Sequence, residues 1–319
     1  MELNATQAMR RLVDAVGTVV VGHRRQVELC VMAWLVGGHV LIEDVPGVGK
    51  TLLAKALARA SGCQFDRIQF TPDLLPGDIT GANVYQPQRG AFEFRPGPVF
   101  TQILLADEIN RATPKTQSAL LEAMEERQVT VDGTTRALPD PFVVLATQNP
   151  VDYQGTFALP EAQLDRFLMR VALGYADLNG ELEILARFGS GSPLLDLEPV
   201  IGAGDFAMVR QAAAEVHVAD QLKEYMVRIV QRTRDHPDLA LGASARASLG
   251  LLRTSQARAL LEGRDYVQPD DVKDLAEPVL LHRLVLRASA ELQGSSGQLL
   301  LTELLESESV PLGGRQAAG

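Results

Sequence analysis

The chain has 319 residues, 46% of them hydrophobic, 22% charged and 5% aromatic, with a net charge of −10. This length buries a sizeable core and predicts two domains. The negative balance repels a polyanion on average, which disfavours non-specific nucleic-acid binding, and no apolar run approaches the length of a membrane helix.

Residues 1–38 read as two helices, the second over roughly 24–36 and apolar on one face. Candidate strands then follow at 39–43, 65–70, 103–107, 142–147 and 167–171, alternating with helical patterns at 51–61, 114–126 and 161–165. Such alternation predicts an α/β parallel sheet with helices on both faces, ending near Gly174. Two insertions interrupt it. Residues 71–99 are too long and turn-rich for a plain connection and suggest a functional protrusion. Residues 128–137 read as a β-hairpin, with Val129-Thr130-Val131 turning at Asp132-Gly133 into Thr134-Thr135-Arg136; a decorative surface hairpin is the alternative. From Asp177 the period becomes helical, and 178–188, 206–216, 220–234, 243–261 and 269–289 fit amphipathic helices, broken at 189–193 and 202–204. Residues 299–305 form either a short docking helix or part of a loose tail. The predicted organisation is an α/β core over 1–175, an all-helical domain over 176–292 and a partly flexible tail over 293–319. Cys30 and Cys63 have neither metal-knuckle nor redox-pair spacing and read as buried free thiols of a reducing compartment. Met1-Glu2-Leu3-Asn4 lacks the basic start and apolar core of a signal peptide, so the expected location is the cytoplasm.

The chemistry is concentrated at strand ends. Val40-Leu41-Ile42 leads into Asp44-Val45-Pro46-Gly47-Val48-Gly49-Lys50-Thr51 and then a helix-forming run. Strand, glycine-rich loop, Lys-Thr and helix together cradle the phosphates of ATP or GTP through backbone N–H groups and the positive end of the helix dipole. Lys50 would reach the β- and γ-phosphates and the Thr51 hydroxyl would hold Mg²⁺. An ordinary turn spelling Gly-Lys-Thr is the alternative until other motifs are counted. Ile103-Leu104-Leu105-Ala106 ends in Asp107-Glu108, where Asp107 would hold Mg²⁺ and Glu108 would polarise the attacking water. The next strand ends Thr147-Gln148-Asn149-Pro150; Asn149 either orients that water or simply helps Pro150 make a turn. Arg166, just before the last strand, would face a neighbouring subunit as an arginine finger, the alternative being a local pair with Asp165 or Glu161. Arg246 opens a helix capped by Ser244, a dipole-unfavourable place that suggests a phosphate partner or else a solvated side chain.

In this order and spacing the set resembles an AAA+ ATPase. Val21-Gly22-His23, Gly38-His39-Val40-Leu41-Ile42-Glu43-Asp44, Phe70-Thr71-Pro72-Asp73-Leu74-Leu75-Pro76, Asp107-Glu108-Ile109-Asn110-Arg111-Ala112 and Gln148-Asn149-Pro150 narrow the resemblance to the MoxR family, over about residues 5–290. The resemblance implies an AAA+ P-loop NTPase core with a helix-2 insert at 72–98 and a pre-sensor-1 β-hairpin at 128–137, both facing a ring pore or a partner, followed by a helical lid. It implies that Val21 and Gly22 line an adenine pocket beside His23, that Pro46, Gly47, Val48, Gly49, Lys50, Thr51 and Leu52 form the Walker A cradle, and that Asp107 and Glu108 are the Walker B acids. Asn149 would be sensor 1, Arg166 the arginine finger and Arg246 sensor 2. Arg111 would be either a second trans-acting arginine or a local ion-pair partner. Two positions depart from the pattern: Asp44 replaces the first Walker glycine, adding a negative charge that would weaken nucleotide binding, and Ala245 stands where many relatives carry proline.

The function so implied is Mg²⁺-dependent ATP hydrolysis by a homo-oligomeric ring, expected to be a hexamer. The ring would remodel or mature client proteins, in some members inserting a metal or cofactor with a von Willebrand factor A-type (VWA) partner. A nucleic-acid motor and a magnesium-chelatase-type subunit share the architecture, and a nucleotide-gated scaffold with little turnover is a further alternative. The acidic balance and a hairpin tip, Asp132-Gly133-Thr134, without Lys or Arg count against the nucleic-acid motor.

Overall fold

The structure, a computed structural model, describes residues 4–149, 156–189 and 191–310. Pro150, Ser190 and the last residues of the tail lie outside the described residues. Two compact units divide the chain, Met1–Arg210 and Gln211–Gly319.

In the first unit, helices α1 (Ala5–Gly17) and α2 (Arg24–Leu35) precede strand β1 (Val40–Glu43), which feeds through the glycine loop into α3 (Lys50–Ser61). There follow β2 (Phe65–Gln69), the short α4 (Pro76–Thr80), β3 (Gly81–Gln86), β4 (Ala91–Pro96), β5 (Ile103–Asp107), α5 (Pro114–Glu126), β6 (Gln128–Val131), β7 (Thr134–Ala137), β8 (Val143–Gln148), α6 (Glu161–Leu164) and β9 (Met169–Val171). Then come α7 (Leu178–Phe188), α8 (Pro193–Asp196) and α9 (Ala203–Glu215), whose last residues belong to the second unit. The main sheet has five strands in the order β2-β5-β8-β1-β9, all parallel. β1, β5 and β8 are buried along their length, as expected of parallel strands covered on both faces; only their last residues, Glu43, Asp107 and Gln148, are half-buried. Register sets Glu43 beside Gln148 and Gln69 beside Asp107, so the carboxyl ends of β1, β2, β5 and β8 lie along one edge. Ligands bind at such an edge in open parallel sheets.

His39, expected as the first strand residue, lies just before β1 and staples the sheet's other end. Its Nδ1 accepts from Val144 N–H at 2.9 Å, so the ring hydrogen sits on Nε2, which donates to the Met124 carbonyl at 3.2 Å. Full burial, helped by the Arg127 charge, drives the imidazole pKa down to about 3.

Both insertions carry hairpins. Asp132 and Gly133 take φ of +49° and +77°, the left-handed pair that a two-residue type I′ turn demands. The 71–99 insertion, expected only as a protrusion, folds as α4 followed by the antiparallel pair β3–β4, which exposes Tyr85 and Phe92 with their rings 5.3 Å apart. The two hairpins brace one another: Asn83 Nδ2 donates to Asp132 Oδ2 at 2.6 Å, and the Arg136 guanidinium sits 3.8 Å from the centre of the Phe94 ring. Of the two cysteines, Cys30 is buried as expected, whereas Cys63 is half-buried; both are free.

The second unit contains α10 (Asp220–Asp235), β10 (Leu239–Leu241), α11 (Ala245–Glu262), α12 (Pro269–Leu280), β11 (Val285–Leu286), α13 (Ala288–Leu292) and α14 (Gly297–Ser307). The single helix expected over 269–289 ends at Leu280, two residues after Pro278, whose missing N–H weakens the last turn. The chain then pairs β11 with β10, adding one short antiparallel ladder to a unit expected to be wholly helical. Ser296 caps α14, which buries Leu300, Leu301 and Leu304 and packs on α10 and α12; of the two expectations for 299–305, the docking helix is the one found. Arg264 grips the buried Asp271 carboxylate with two hydrogen bonds, 2.6 and 2.8 Å.

Candidate active site

The loop between β1 and α3 depends on backbone conformation. Gly47 and Gly49 take φ of +88° and +96°, and an added Cβ at either would meet nothing within 4 Å. Glycine is therefore required there by the left-handed backbone, not by crowding. Gly49 caps α3, so the N–H groups of Lys50, Thr51 and Leu52 begin the helix without intrahelical acceptors. The Lys50 ammonium donates to the carbonyls of Asp44 (2.8 Å) and Val45 (3.2 Å). Burial pushes its pKa below the ordinary lysine value, while the charges of Asp44, Asp107 and Glu108 pull the other way. Lys50, the glycine loop and the two acids at the end of β5 thus share one electrostatic neighbourhood.

Asp44 is buried, and both of its carboxylate oxygens are engaged by backbone N–H groups. It accepts from Val45 N–H (2.8 Å) and from Gly174 N–H beyond β9 (2.7 Å). The residue that breaks the Walker pattern is a clamp between the phosphate loop and the strand next door.

At the end of β5 the two acids are held in different ways. Asp107 Oδ1 accepts from Thr147 Oγ1 at 2.6 Å, and Oδ2 accepts from Arg67 Nη2 (2.7 Å) and Nε (3.2 Å). Glu108 takes a left-handed backbone, φ +57° and ψ +51°, which for a non-glycine residue costs on the order of 1–2 kcal/mol. Three contacts hold it there: its N–H donates to Thr147 Oγ1 (2.8 Å), its Oε2 accepts from Gln69 Nε2 (2.6 Å), and Arg111 Nε lies 3.2 Å from that same oxygen. Of the two expectations for Arg111, the local ion pair is what is observed. Its turn is fastened by Gln117, whose Nε2 lies within 2.9–3.2 Å of the carbonyls of Ile109, Ala112 and Phe157 and donates to them.

Asn149 follows β8 and is buried; its neighbour Gln148 accepts from Asp44 N–H at 3.2 Å, tying the end of β8 to the start of the loop. Arg166 lies in the turn between α6 and β9, half-buried, and among the described residues no side-chain hydrogen bond or ion pair within the chain engages it. Arg246 lies in the second unit, exposed in the first turn of α11, where Ser244 Oγ accepts its N–H at 3.1 Å as expected of the cap.

Beside the loop is a cleft of about 290 Å³ with mainly apolar walls from Val21, His23, Leu52, Tyr175, Ile184 and Phe188. Gly22 adjoins it with φ +79°, and a Cβ added there would lie 3.5 Å from the Ala176 side chain and 3.8 Å from the Gly180 backbone. The cleft adjoins Gly47, Val48 and Gly49, while Pro46 is exposed at the loop's tip. An apolar slot leading to a bank of backbone N–H groups suits a flat heterocycle joined to phosphates. The oxygens of Thr51 and Asp107 suit Mg²⁺, which takes one or two protein oxygens and completes its shell with phosphate and water. Among the described residues no cluster of three His, Cys, Asp or Glu could hold a metal unaided.

Arg67, Gln69, Thr147 and the α7 wall of the cleft escaped the sequence reading. Arg67 and Gln69 were findable in principle: two residues apart on β2, they point to one side of the strand beside Asp107.

Comparison with known proteins agrees with this geometry. Residues 39–169 match the "ATPase family associated with various cellular activities (AAA)" and residues 231–304 match the "AAA lid domain". The chain is 51% identical to the Bacillus subtilis protein YeaC, covering 95% of this chain and 94% of that protein. It is 43% identical to "Chaperone MoxR1" of Mycobacterium tuberculosis, covering 95% and 82%. A crystal structure from Cytophaga hutchinsonii superposes with a TM-score of 0.90 at 39% identity, covering 97% of this chain and 96% of that one.

Proposed function

This chain belongs to the MoxR family of AAA+ ATPases, and we propose that it hydrolyses ATP as a homo-oligomeric ring, a hexamer, that remodels or matures client proteins with a VWA-domain partner. The observation that carries the ATPase proposal is the convergence of Lys50 with Asp107 and Glu108 in one electrostatic neighbourhood, beside an apolar cleft that opens on the glycine loop. In the proposed reaction the cleft takes the adenine, and the N–H groups of residues 47–52 and the Lys50 ammonium take the phosphates. Thr51 and Asp107 would hold Mg²⁺, which would supply screening of the phosphate charge. Glu108 accepts the proton of the attacking water, while Gln69 and Arg111 both hold its Oε2. Asn149, at the end of the adjacent strand, orients that water, and Arg246 is assigned to phosphate sensing from the lid. Arg166 has no partner among the described residues of its own chain, which favours action across a subunit boundary.

One observation weighs against a nucleic-acid motor. The arginines flanking the 128–137 hairpin are both engaged inward: Arg127 donates to the carbonyls of Phe142 and Gly37, and Arg136 covers Phe94. No helix among the described residues is long and apolar enough to cross a membrane. The chaperone role follows the name of the mycobacterial relative, and the VWA partner follows the family resemblance. The deciding experiment is Arg166→Ala. Nucleotide binding should be retained while turnover falls by about 10³-fold or more. Mixing it with Glu108→Gln should restore part of the activity if the arginine acts in trans. Full turnover by Arg166→Ala, or by an isolated monomer, would overturn the assignment.

A further inference from the structure

Arg67 is unassigned by everything above, yet it makes a close charged contact with Asp107. Its Nη2 and Nε both reach Asp107 Oδ2, at 2.7 and 3.2 Å. The other oxygen, Oδ1, is fixed by Thr147, whose hydroxyl is itself fixed because it accepts Glu108 N–H and so must donate to Asp107. The Thr147 contact is thus locked from two sides. The Arg67 contact is the exchangeable one: the guanidinium side chain is 46% exposed, against 14% for Asp107, and it rises from β2, the outermost strand of the sheet. Arg67 also has somewhere to go. Nη2 already donates to Gln69 Oε1 at 2.8 Å, so letting go of Asp107 does not leave the guanidinium unpaired.

We propose that Arg67 is a positioning residue that competes with the divalent cation for Asp107, and so sets the metal concentration at which the site closes around a nucleotide. The inference rests on the proposed metal-holding role of Asp107. A guanidinium and a divalent cation cannot share Oδ2 without strong like-charge repulsion. Metal held at Asp107 therefore displaces Arg67 onto Gln69, the residue that also holds Glu108.

The test measures binding, not turnover. A fluorescent, non-hydrolysable ATP analogue is titrated at increasing free Mg²⁺, and the Mg²⁺ concentration giving half of the affinity enhancement is compared for wild type, Arg67→Met, Arg67→Gln and Asp107→Asn. A half-exposed ion pair contributes modestly, so both Arg67 variants are expected to need about two- to fivefold less Mg²⁺. A residue that only supports the fold would leave the requirement unchanged or raise it, and either result overturns the inference. Asp107→Asn separates the two layers. If it raises the requirement while the Arg67 variants do not lower it, only the competition fails. If Asp107→Asn changes nothing, the metal-holding role itself fails.

Discussion

Acid should destabilise the first compact unit more than its carboxylates alone would, because His39 is folded in as a neutral imidazole. Its pKa falls from the ordinary 6.5 to about 3 through burial and the nearby Arg127 charge. Between those values the unfolded chain binds a proton that the folded chain refuses. Stability from this group is therefore complete above about pH 6.5 and is lost progressively as the pH falls toward 3. Each pH unit in that window amounts to about 1.4 kcal/mol, so the loss reaches about 2 kcal/mol at pH 5. The chain offers a local probe: Trp34 is its single tryptophan, buried in α2 of the same unit with its ring 4.5 Å from Phe206. Urea unfolding followed by Trp34 fluorescence at several pH values between 7.5 and 5 should be compared with His39→Gln. The glutamine amide can replace both hydrogen bonds but does not titrate. The stability gap between the two proteins should shrink by about 2 kcal/mol from pH 7.5 to 5, since all other groups cancel. A gap that stays constant across that range would show that His39 is not held neutral, and the account of the β1 staple would be wrong.

Three further outcomes test the site and the second unit. Glu108→Gln should bind ATP and lose turnover by about two orders of magnitude or more, as removal of a general base does; it also leaves Gln69 facing an amide in place of a carboxylate, so nucleotide binding should be measured separately from hydrolysis. Gly47→Ala meets no atom, yet forces alanine to φ +88° at a strain of about 1–2 kcal/mol; fluorescent-nucleotide affinity should fall about tenfold, and unchanged affinity would show that the loop relaxes freely. Arg264→Ala leaves the buried Asp271 carboxylate with the Gln268 N–H at 2.8 Å in place of its cation. The second unit should lose about 2–4 kcal/mol in thermal unfolding, whereas Arg264→Met combined with Asp271→Leu should lose clearly less.

Legibility in the sequence tracked the kind of interaction involved. The five sheet strands were readable because parallel strands buried on both faces are short apolar runs, and their ends moved by at most two residues between expectation and structure. The glycines of the phosphate loop and the Asp132-Gly133 turn were readable for a related reason: both are demands of the backbone that few residues can meet. The β3–β4 hairpin was missed because Pro and Gly dominate its neighbourhood and its strands face solvent, so no burial pattern marks them. The short β10–β11 pair was missed because two- and three-residue strands carry no period at all.

The least legible features are side chains that reach another strand, and Asp44 shows why. From the sequence it is a negative charge set at the lip of a phosphate site, and repulsion is the natural expectation. In the structure its two oxygens are occupied by N–H groups, one from the next residue and one from Gly174, 130 positions away. A carboxylate so satisfied has its charge stabilised by the backbone and directed at the end of β9, while its carbonyl, not its carboxylate, receives Lys50. The same residue that breaks the glycine pattern thus fixes the loop to the strand beside it. Arg67 follows the same logic: the local sequence says only "edge strand, polar side", and its meaning comes from Asp107, forty residues further on, which parallel pairing brings within hydrogen-bonding distance.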